Sequence, residues 1–223
     1  MASTTISTLC IYEGLGHGLD RKCNYRQFIE SEGCIMCGRY NFTVEQNEEI
    51  IEILEKLNAK FQGKEVRTGE VFPTNQAPIL IEEKREVSPT LSIWGFPKFD
   101  QKGVILNARA ETAFEKRTFR ESLLNRRCIV PSTGFYEWNS EKKKFLFRME
   151  GSNTLYMAGL YTLYKEEMRY VILTTEANES IKEVHTRMPL VIPKREIDTW
   201  IMDNMATNDL LKRVPPQLIK EAV

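Results

Sequence analysis

Residues 128–175, CIVPSTGFYEWNSEKKKFLFRMEGSNTLYMAGLYTLYKEEMRYVILTT, are the part of the chain that decides the fold class. They contain runs rich in aromatic and β-branched residues at positions 128–130, 134–138, 145–149, 155–164 and 170–174. The links between these runs are polar and of hairpin length, as in the Glu-Lys-Lys-Lys stretch at 141–144. This pattern predicts a series of consecutive, mainly antiparallel strands.

The sequence before this region adds helices and further strands. A Thr-x-x-Gln capping box at 43–46 predicts the start of a helix. Apolar residues follow it at helical spacing, namely Ile50, Leu54, Leu57 and Phe61. Shorter strands are predicted at 78–81, 91–96 and 104–108, and a second helix from Thr112 to about residue 124.

The sequence after this region predicts three more helical pieces. They are a short helix capped by Asn178 and ending at Val184, a helix from Pro193 to about Met202, and an amphipathic piece at 209–214. Neither a repeat nor a low-complexity linker interrupts the pattern. We therefore predict one α+β domain over residues 37–223.

The composition excludes several classes of protein. The chain has 31 Lys+Arg and 31 Asp+Glu, so it lacks the bulk positive charge of a histone-like nucleic-acid binder, although a local basic groove is compatible with this balance. Its apolar runs are too short to span a membrane. Five cysteines are an odd number, which argues against a secreted disulfide scaffold. We expect a soluble, cytoplasmic protein with reduced thiols.

The first 36 residues differ from the rest of the chain. They hold Cys10, Cys23, Cys34 and His17, but at spacings that match no usual zinc motif, so no metal is expected. They also lack the basic start and apolar stretch of a signal peptide. We interpret residues 1–36 as a leader that is disordered, removed, or included by a start codon upstream of the true start at Met36.

Cys37 becomes an unusual nucleophile if it is the first residue of the mature chain. Its α-amine would then have a pKa of about 7.7–8.0, against about 10.4 for lysine, and its thiol a pKa of about 8.5. Amine and thiol on adjacent carbons can attack one aldehyde in turn, giving a Schiff base and then a five-membered thiazolidine. For an arbitrary cysteine, a small buried hydrophobe is the more common interpretation.

Asn107 and Arg109 are two residues apart in a predicted strand, so both side chains face the same side. A carboxamide can orient an amine or a carbonyl, and a guanidinium suits a phosphate. A surface strand end followed by a capping acid explains the same residues equally well.

Glu137 stands between large aromatic residues in the predicted strand 134–138. Apolar surroundings raise the pKa of a carboxyl group toward neutrality, where general acid–base catalysis operates. The alternative is a glutamate on the solvent face of an edge strand.

His185 is the only histidine beyond the first 36 residues, and Arg187 follows two positions later. The ordinary pKa of histidine suits proton transfer at neutral pH, and Arg187 offers a second phosphate contact. A lone histidine is nevertheless more often structural than catalytic.

Four ordered motifs resemble the SOS response-associated peptidase family, whose members process abasic sites. The motifs are Met36-Cys-Gly-Arg-Tyr40, Asn107-Ala-Arg-Ala-Glu-Thr112, Gly134-Phe-Tyr-Glu-Trp138 and His185-Thr-Arg-Met-Pro189. The resemblance covers residues 36 to about 214 and leaves out residues 1–35. It implies a single domain of mostly antiparallel, barrel-like sheet flanked by helices.

The resemblance also implies roles for single residues. Cys37 would be the nucleophile that forms a thiazolidine with abasic single-stranded DNA, and Asn107 its orienting partner. Glu137 would be the acid–base residue, and His185 the group that assists sugar ring opening or reversal. Phosphate contacts would come from Arg39, Arg109 and Arg187. Pro73 would separate neighbouring bases and Trp94 would stack on them. Arg117, Arg120, Arg126 and Arg127 either extend this groove or form a solvated helix face.

The expected activity is therefore covalent capture of abasic sites in single-stranded DNA during DNA repair. A monomer without a cofactor or membrane contact, associated with the nucleoid during repair, is expected. Because residues precede Cys37 in the given sequence, its free amine requires a start at Met36 or cleavage before Cys37, which the same Cys, Glu and His could perform. The alternatives are a cysteine-type peptidase built on Cys37, His185 and Glu137, and a non-catalytic single-strand-binding module.

Overall fold

The computed structural model describes residues 38–45, 47–62 and 66–223, all of which belong to the unit Met36–Val223. Two predictions, the nucleophile Cys37 and the leader at 1–36, lie outside the described residues. The strands are β1 (Arg39–Phe42), β2 (Gly69–Val71), β3 (Gln76–Glu83), β4 (Glu86–Trp94), β5 (Phe96–Pro97), β6 (Val104–Ile105), β7 (Asn107–Arg109), β8 (Arg127–Ser132), β9 (Gly134–Trp138), β10 (Lys144–Met149), β11 (Leu155–Tyr164), β12 (Glu167–Glu176), β13 (Arg187–Pro189) and β14 (Leu218–Ala222). The α-helices are α1 (Glu48–Lys60), α2 (Arg117–Asn125), α3 (Ile197–Met202) and α4 (Thr207–Leu211), and short 3-10 helices cover Ala110–Thr112 and Lys194–Glu196.

Five strands close into a barrel. Their order is β11-β8-β3-β4-β12, and β12 returns to pair with β11. Most of these pairings are antiparallel, but β12 runs parallel to β4 and to the short strand β7. The α+β fold class with a barrel-like, mostly antiparallel sheet is therefore confirmed.

A second, open sheet has the order β14-β10-β9-β1-β2 and is antiparallel throughout. Aromatic side chains connect this sheet to the barrel. The hydroxyl groups of Tyr40 on β1 and Tyr170 on β12 are 2.6 Å apart and share a hydrogen bond. The Tyr40 ring also meets Trp94 edge-on, with centroids 5.2 Å apart. All three side chains are fully buried, so the tyrosine of the first motif belongs to the core.

Helix α1 begins later than the capping box predicts. Its N-cap is Asn47, whose Oδ1 accepts a hydrogen bond from the amide of Ile50. Asn47 is buried and also donates to the carbonyl of Asn153 and to Thr154 Oγ1. The tertiary partners at 153–154 thus favour Asn47 as the cap over Thr43. Gln46, the other end of the predicted box, lies outside the described residues.

Two other predicted helices are wrong in part. The segment after Asn107–Arg109 forms a 3-10 helix at Ala110–Thr112, and α2 begins only at Arg117. Asn178 does not cap a helix but anchors a series of turns, because its Oδ1 accepts from the amide of Ser180. Its Nδ2 donates to the carbonyls of Pro215 and Pro216, which fixes the chain that leads into β14.

Candidate nucleic-acid site

The predicted nucleophile Cys37 directly precedes Gly38, the first described residue, which is buried. Strand β1 starts at the next residue, Arg39, and lies between β2 and β9 in the open sheet. The strand that carries the first motif is thus an interior strand, held by neighbours on both edges.

Glu137 lies on β9, the neighbour of β1. Its side chain is 2% exposed, and β9 is an interior strand between β10 and β1. Arg39 pairs with Tyr136 and Tyr40 with Phe135, so alternation puts Glu137 on the same face as Phe135 and Tyr40. Both aromatic residues are fully buried. The alternative of a solvent-facing glutamate on an edge strand is therefore wrong.

Arg39 occupies the opposite face of this sheet, between two aromatic rings. Its guanidinium carbon is 4.4 Å from the centroid of Phe72 and 5.3 Å from that of Trp138. Its Nη1 donates to Glu70 Oε2 at 3.1 Å, and Lys144 donates to the other oxygen of Glu70 at 2.9 Å. This face therefore combines two cations with two half-buried aromatic rings.

Glu70 is ionised between these cations. Partial burial alone would raise the pKa of its carboxyl group. The hydrogen bond from Lys144 and the charges of Arg39 and Lys144 outweigh burial and hold that pKa below its ordinary value. One carboxylate thus offsets part of the positive charge of this surface.

Asn107 and Arg109 lie on β7, which runs parallel to β12 with Asn107 opposite Ile172 and Arg109 opposite Thr174. Asn107 is half-buried, and Arg109 is exposed. Their predicted placement on one face of a strand follows from this pairing.

His185 follows the turns after Asn178 and precedes β13. The backbone amide of Arg187 donates to His185 Nδ1 at 3.0 Å, so the neutral imidazole carries its proton on Nε2. Burial, followed by the repulsive charge of Arg187, lowers the pKa of this half-buried imidazole. At neutral pH its Nε2–H is therefore a hydrogen-bond donor.

The guanidinium of Arg187 is already engaged. Nη1 and Nη2 each donate to one oxygen of Glu111 at 2.8 Å, and Nη2 also donates to the carbonyl of Thr174 at 2.6 Å. A phosphate that contacts Arg187 must share this edge with the carboxylate. Glu111 was not among the predicted site residues; its position four residues after Asn107, in the same motif, was the available signal.

The second and fourth motifs meet at the C-terminal end of β12. Strand β7 lies along one edge of β12, and β13 pairs with residues 174–176 near the same end. The first and third motifs meet on β1 and β9 in the open sheet. The hydrogen bond between Tyr40 and Tyr170 joins the two groups, because Tyr170 belongs to β12.

The stacking role predicted for Trp94 is corrected by its burial. The side chain is 0% exposed, donates from Nε1 to the carbonyl of Leu106, and stacks on Tyr170. A DNA base has no access to this ring.

The residue after Trp94 is a glycine for a structural reason as well. Its φ is 111°, and a Cβ at this position would lie 2.8 Å from Val104. The two aromatic rings beside Arg39, Phe72 and Trp138, are half-buried, and sequence reasoning did not include them among the site residues, although Trp138 alternates onto the face of Arg39.

Pro73 is half-buried in the turn that follows β2. The amide of Asn75 donates to the carbonyl of Phe72, and Thr74 has a φ of 66°, as expected for a turn with proline at its second position. The wedge role of Pro73 stays a prediction.

Arg127 neither extends a groove nor belongs to a solvated helix face. It is 4% exposed, and its guanidinium donates to the carbonyls that end two helices and to one side-chain oxygen: Leu123, Leu124, Trp200, Ile201 and Asn204 Oδ1. By contrast, Arg117 and Arg120 are exposed on α2, as a solvated helix face requires.

The fold and this arrangement define a single-domain α+β barrel protein with a polar site beside a buried carboxylate. The sequence profile of the family described as SOS response associated peptidase (SRAP) matches residues 36–221. The chain belongs to this family.

The chain is similar in sequence to three bacterial proteins, among others. The chain is 34% identical over 117 residues to abasic site processing protein YoaM of Bacillus subtilis, covering 48% of this chain and 52% of that protein. It is 28% identical over 194 residues to YoqW of the same organism, covering 79% and 85%. It is 24% identical over 182 residues to YedK of Escherichia coli, covering 77% and 82%.

Solved structures share the fold. A crystal structure of a protein from Bacteroides thetaiotaomicron matches with a TM-score of 0.69 at 24% identity, covering 84% of this chain and 92% of that chain. A protein from Bordetella bronchiseptica matches with a TM-score of 0.67 at 22% identity, covering 84% and 99%. Across the described ranges, no helix has the length and apolar character to cross a membrane.

Proposed function

We propose that this protein captures abasic sites in single-stranded DNA as a covalent thiazolidine adduct on Cys37. The observation that carries the proposal is the pairing of β1 with β9. Cys37 is joined through Gly38 to Arg39, which lies opposite Tyr136 and therefore beside the buried Glu137. Membership of the SRAP family and the names of the relatives above support abasic DNA as the substrate.

The chemistry needs an aldehyde, whereas an abasic deoxyribose is mostly a closed hemiacetal. Glu137 would move the proton that opens the sugar, because a buried carboxyl group is the available acid–base group here. His185 would donate Nε2–H to a sugar oxygen, since its Nδ1 already accepts a hydrogen bond from Arg187. Asn107 would orient the reacting groups from β7.

The capture itself takes two bond-forming steps. The α-amine of Cys37 attacks the aldehyde carbon, and loss of water gives a Schiff base. The thiol sulfur then adds to the imine carbon, and its proton passes to the nitrogen, which closes the five-membered ring. Water is the only small product, so no cofactor is needed.

DNA would bind along the cationic and aromatic surfaces beside these residues. Arg39 and Arg109 would contact phosphates, and Phe72 and Trp138 would supply the stacking surface that Trp94 cannot. Such binding depends on salt, because each phosphate contact releases counterions.

The proposal is tested with an oligonucleotide that carries a single abasic site, followed by denaturing electrophoresis. We expect an SDS-resistant adduct for the wild-type protein and none for Cys37→Ala. Cys128→Ala is the matched control, because Cys128 is fully buried and burial raises the pKa of its thiol well above the ordinary value. Equal cross-linking by Cys37→Ala would overturn the proposal.

The free amine is tested separately by the intact mass of the protein made from its own gene. We expect a mass that begins at Cys37. If self-cleavage exposes Cys37, Glu137→Gln will retain residues 1–36, whereas with a start at Met36 the masses of both proteins will correspond to a chain that begins at Cys37. A wild-type mass that begins at Met1 would contradict the mechanism.

A cysteine-type peptidase is the second candidate, and the family's description as a peptidase favours it. It would use Cys37, His185 and Glu137. It requires repeated turnover of peptide substrates by the mature protein, whereas a single self-cleavage event does not meet this requirement.

A further inference from the structure

The carboxylate of Glu111 links two of the four motifs. Glu111 lies in the 3-10 helix directly after β7, and it accepts two parallel hydrogen bonds of 2.8 Å from Arg187. Thr175 Oγ1 donates to the same carboxylate at 3.3 Å. Paired hydrogen bonds of this kind restrict orientation more than a single contact does.

The state of Glu111 suits this contact at neutral pH. Partial burial alone would raise its pKa, but the hydrogen bond and charge of Arg187 hold the pKa of the carboxyl group below its ordinary value. The side chains of Arg187 and Glu111 are 17% and 42% exposed, so solvent screens the pair only in part.

Arg187 also contacts His185, through its backbone amide. Its guanidinium is held by Glu111 and by the carbonyl of Thr174, and its amide donates to His185 Nδ1 at 3.0 Å. The position of that amide decides which nitrogen of the imidazole carries the proton. A loose Arg187 would leave both tautomers of His185 accessible.

We infer that Glu111 is a positioning residue, which holds Arg187 so that the imidazole of His185 presents its Nε2–H to the sugar of the abasic site. This inference rests on the proposed function and extends it to a residue that makes no contact with the reacting atoms. Glu111 also covers the Nη edge of Arg187, so Arg187 serves mainly to position His185, and Arg109 carries more of the phosphate contact.

The first test measures adduct formation at saturating DNA. We expect Glu111→Gln to slow the adduct rate about 10-fold, because small misplacements of a reacting group cost this much or more. Affinity for an oligonucleotide with a tetrahydrofuran residue, which has no aldehyde, should change less than about 3-fold. Glu83→Gln is the matched control, since Glu83 pairs with Lys60 and is also 42% exposed.

A double-variant cycle identifies the route through His185. If Glu111 acts through the imidazole, Glu111→Gln will slow the reaction no further in a His185→Ala background. Losses that multiply in the double variant would overturn the inference. A faster adduct rate for Glu111→Asp than for Glu111→Gln would support a role for the negative charge at this position.

The second test does not depend on any activity. Proton–nitrogen correlation spectra report which imidazole nitrogen is protonated, and the chain has 2 histidines, so His185→Ala assigns the signal. We expect the Nε2–H tautomer in the wild type and a mixture in Glu111→Gln. An unchanged tautomer in the variant overturns the inference, whereas absence of any wild-type adduct overturns the proposed function alone.

Discussion

Two arginines, Arg127 and Arg187, show how differently the same side chain is used at two places in this fold. Arg127 is 4% exposed and is surrounded by carbonyl oxygens at the ends of α2 and α3. Arg187, the first residue of β13, is partly exposed beside the C-terminal end of β12 and is paired with the carboxylate of Glu111. The first arginine caps the C-terminal ends of two helices, whereas the second lies next to the candidate reacting groups. Burial and the type of acceptor, rather than the residue type, separate the structural arginine from the candidate functional one.

The largest effect is expected where the charge is buried. Arg127→Met leaves several helix-terminal carbonyls without a donor, and we expect a loss of about 3–5 kcal/mol in the free energy of unfolding. Burial already lowers the pKa of Arg127, which shows the cost of keeping this charge away from water. Chemical denaturation measures the change.

The neighbour Arg126 provides the control for that measurement. It is half-buried and lies 3.6 Å from the exposed Glu121, so Arg126→Met should cost less than about 1 kcal/mol. Similar losses for the two variants would show that Arg127 is not the structural residue described here.

A smaller effect on stability, but a larger one on DNA binding, is expected at the arginines near β12. Arg109 is exposed and, within the described residues, has no ion pair, so Arg109→Gln should lower the salt dependence of single-strand binding by about 0.7 in the logarithmic slope. Arg187→Gln should lower that slope by less, because its guanidinium is shared with Glu111. DNA-binding titrations at several salt concentrations measure these slopes. A larger decrease for Arg187→Gln than for Arg109→Gln would show that Arg187 makes the stronger phosphate contact.

The smallest effect concerns pH. The pKa of His185 is lower in the folded protein than its ordinary value of 6.5, so the unfolded chain takes up the proton first as the pH falls. The stability contributed by neutral His185 is therefore complete above pH 6.5 and is lost below it, toward the folded-state pKa. Glu111, whose pKa lies below 4.5, contributes no change in that range.

Denaturation at pH 7.5 and pH 5.5 tests this dependence against His185→Asn, which keeps an acceptor near the Nδ1 position. Between pH 7.5 and pH 5.5, we expect the free energy of unfolding to fall by up to about 1 kcal/mol more for the wild type than for the variant. A difference between the two proteins that does not vary with pH would show that His185 does not titrate differently on folding.

Much of the fold followed from local pattern. Strands β9 and β11 have the predicted bounds, because alternating aromatic residues and polar links are local signals. The start of α1 and the turns after Asn178 were predicted wrongly. In both places a buried asparagine is held by residues distant in the sequence, at 153–154 and at 215–216.

The candidate site divides in the same way. Residue types and spacing made Asn107, Glu137 and His185 candidates, because the chemistry of aldehydes and phosphates demands particular functional groups. Their individual roles came from the resemblance of the four motifs to the family and stay predictions. The pairing of Arg187 with Glu111 was not predictable, since the two residues are 76 positions apart and meet only across β12.

The sequence by itself determined which functional groups the protein has, the α+β class and most strand positions, since these depend on side-chain chemistry and on short-range periodicity. Only the tertiary structure decided that Trp94 is core, that Arg127 closes two helices, and that Glu137 is buried beside β1. Burial depends on which distant strands come to lie side by side, and local sequence carries little information about that.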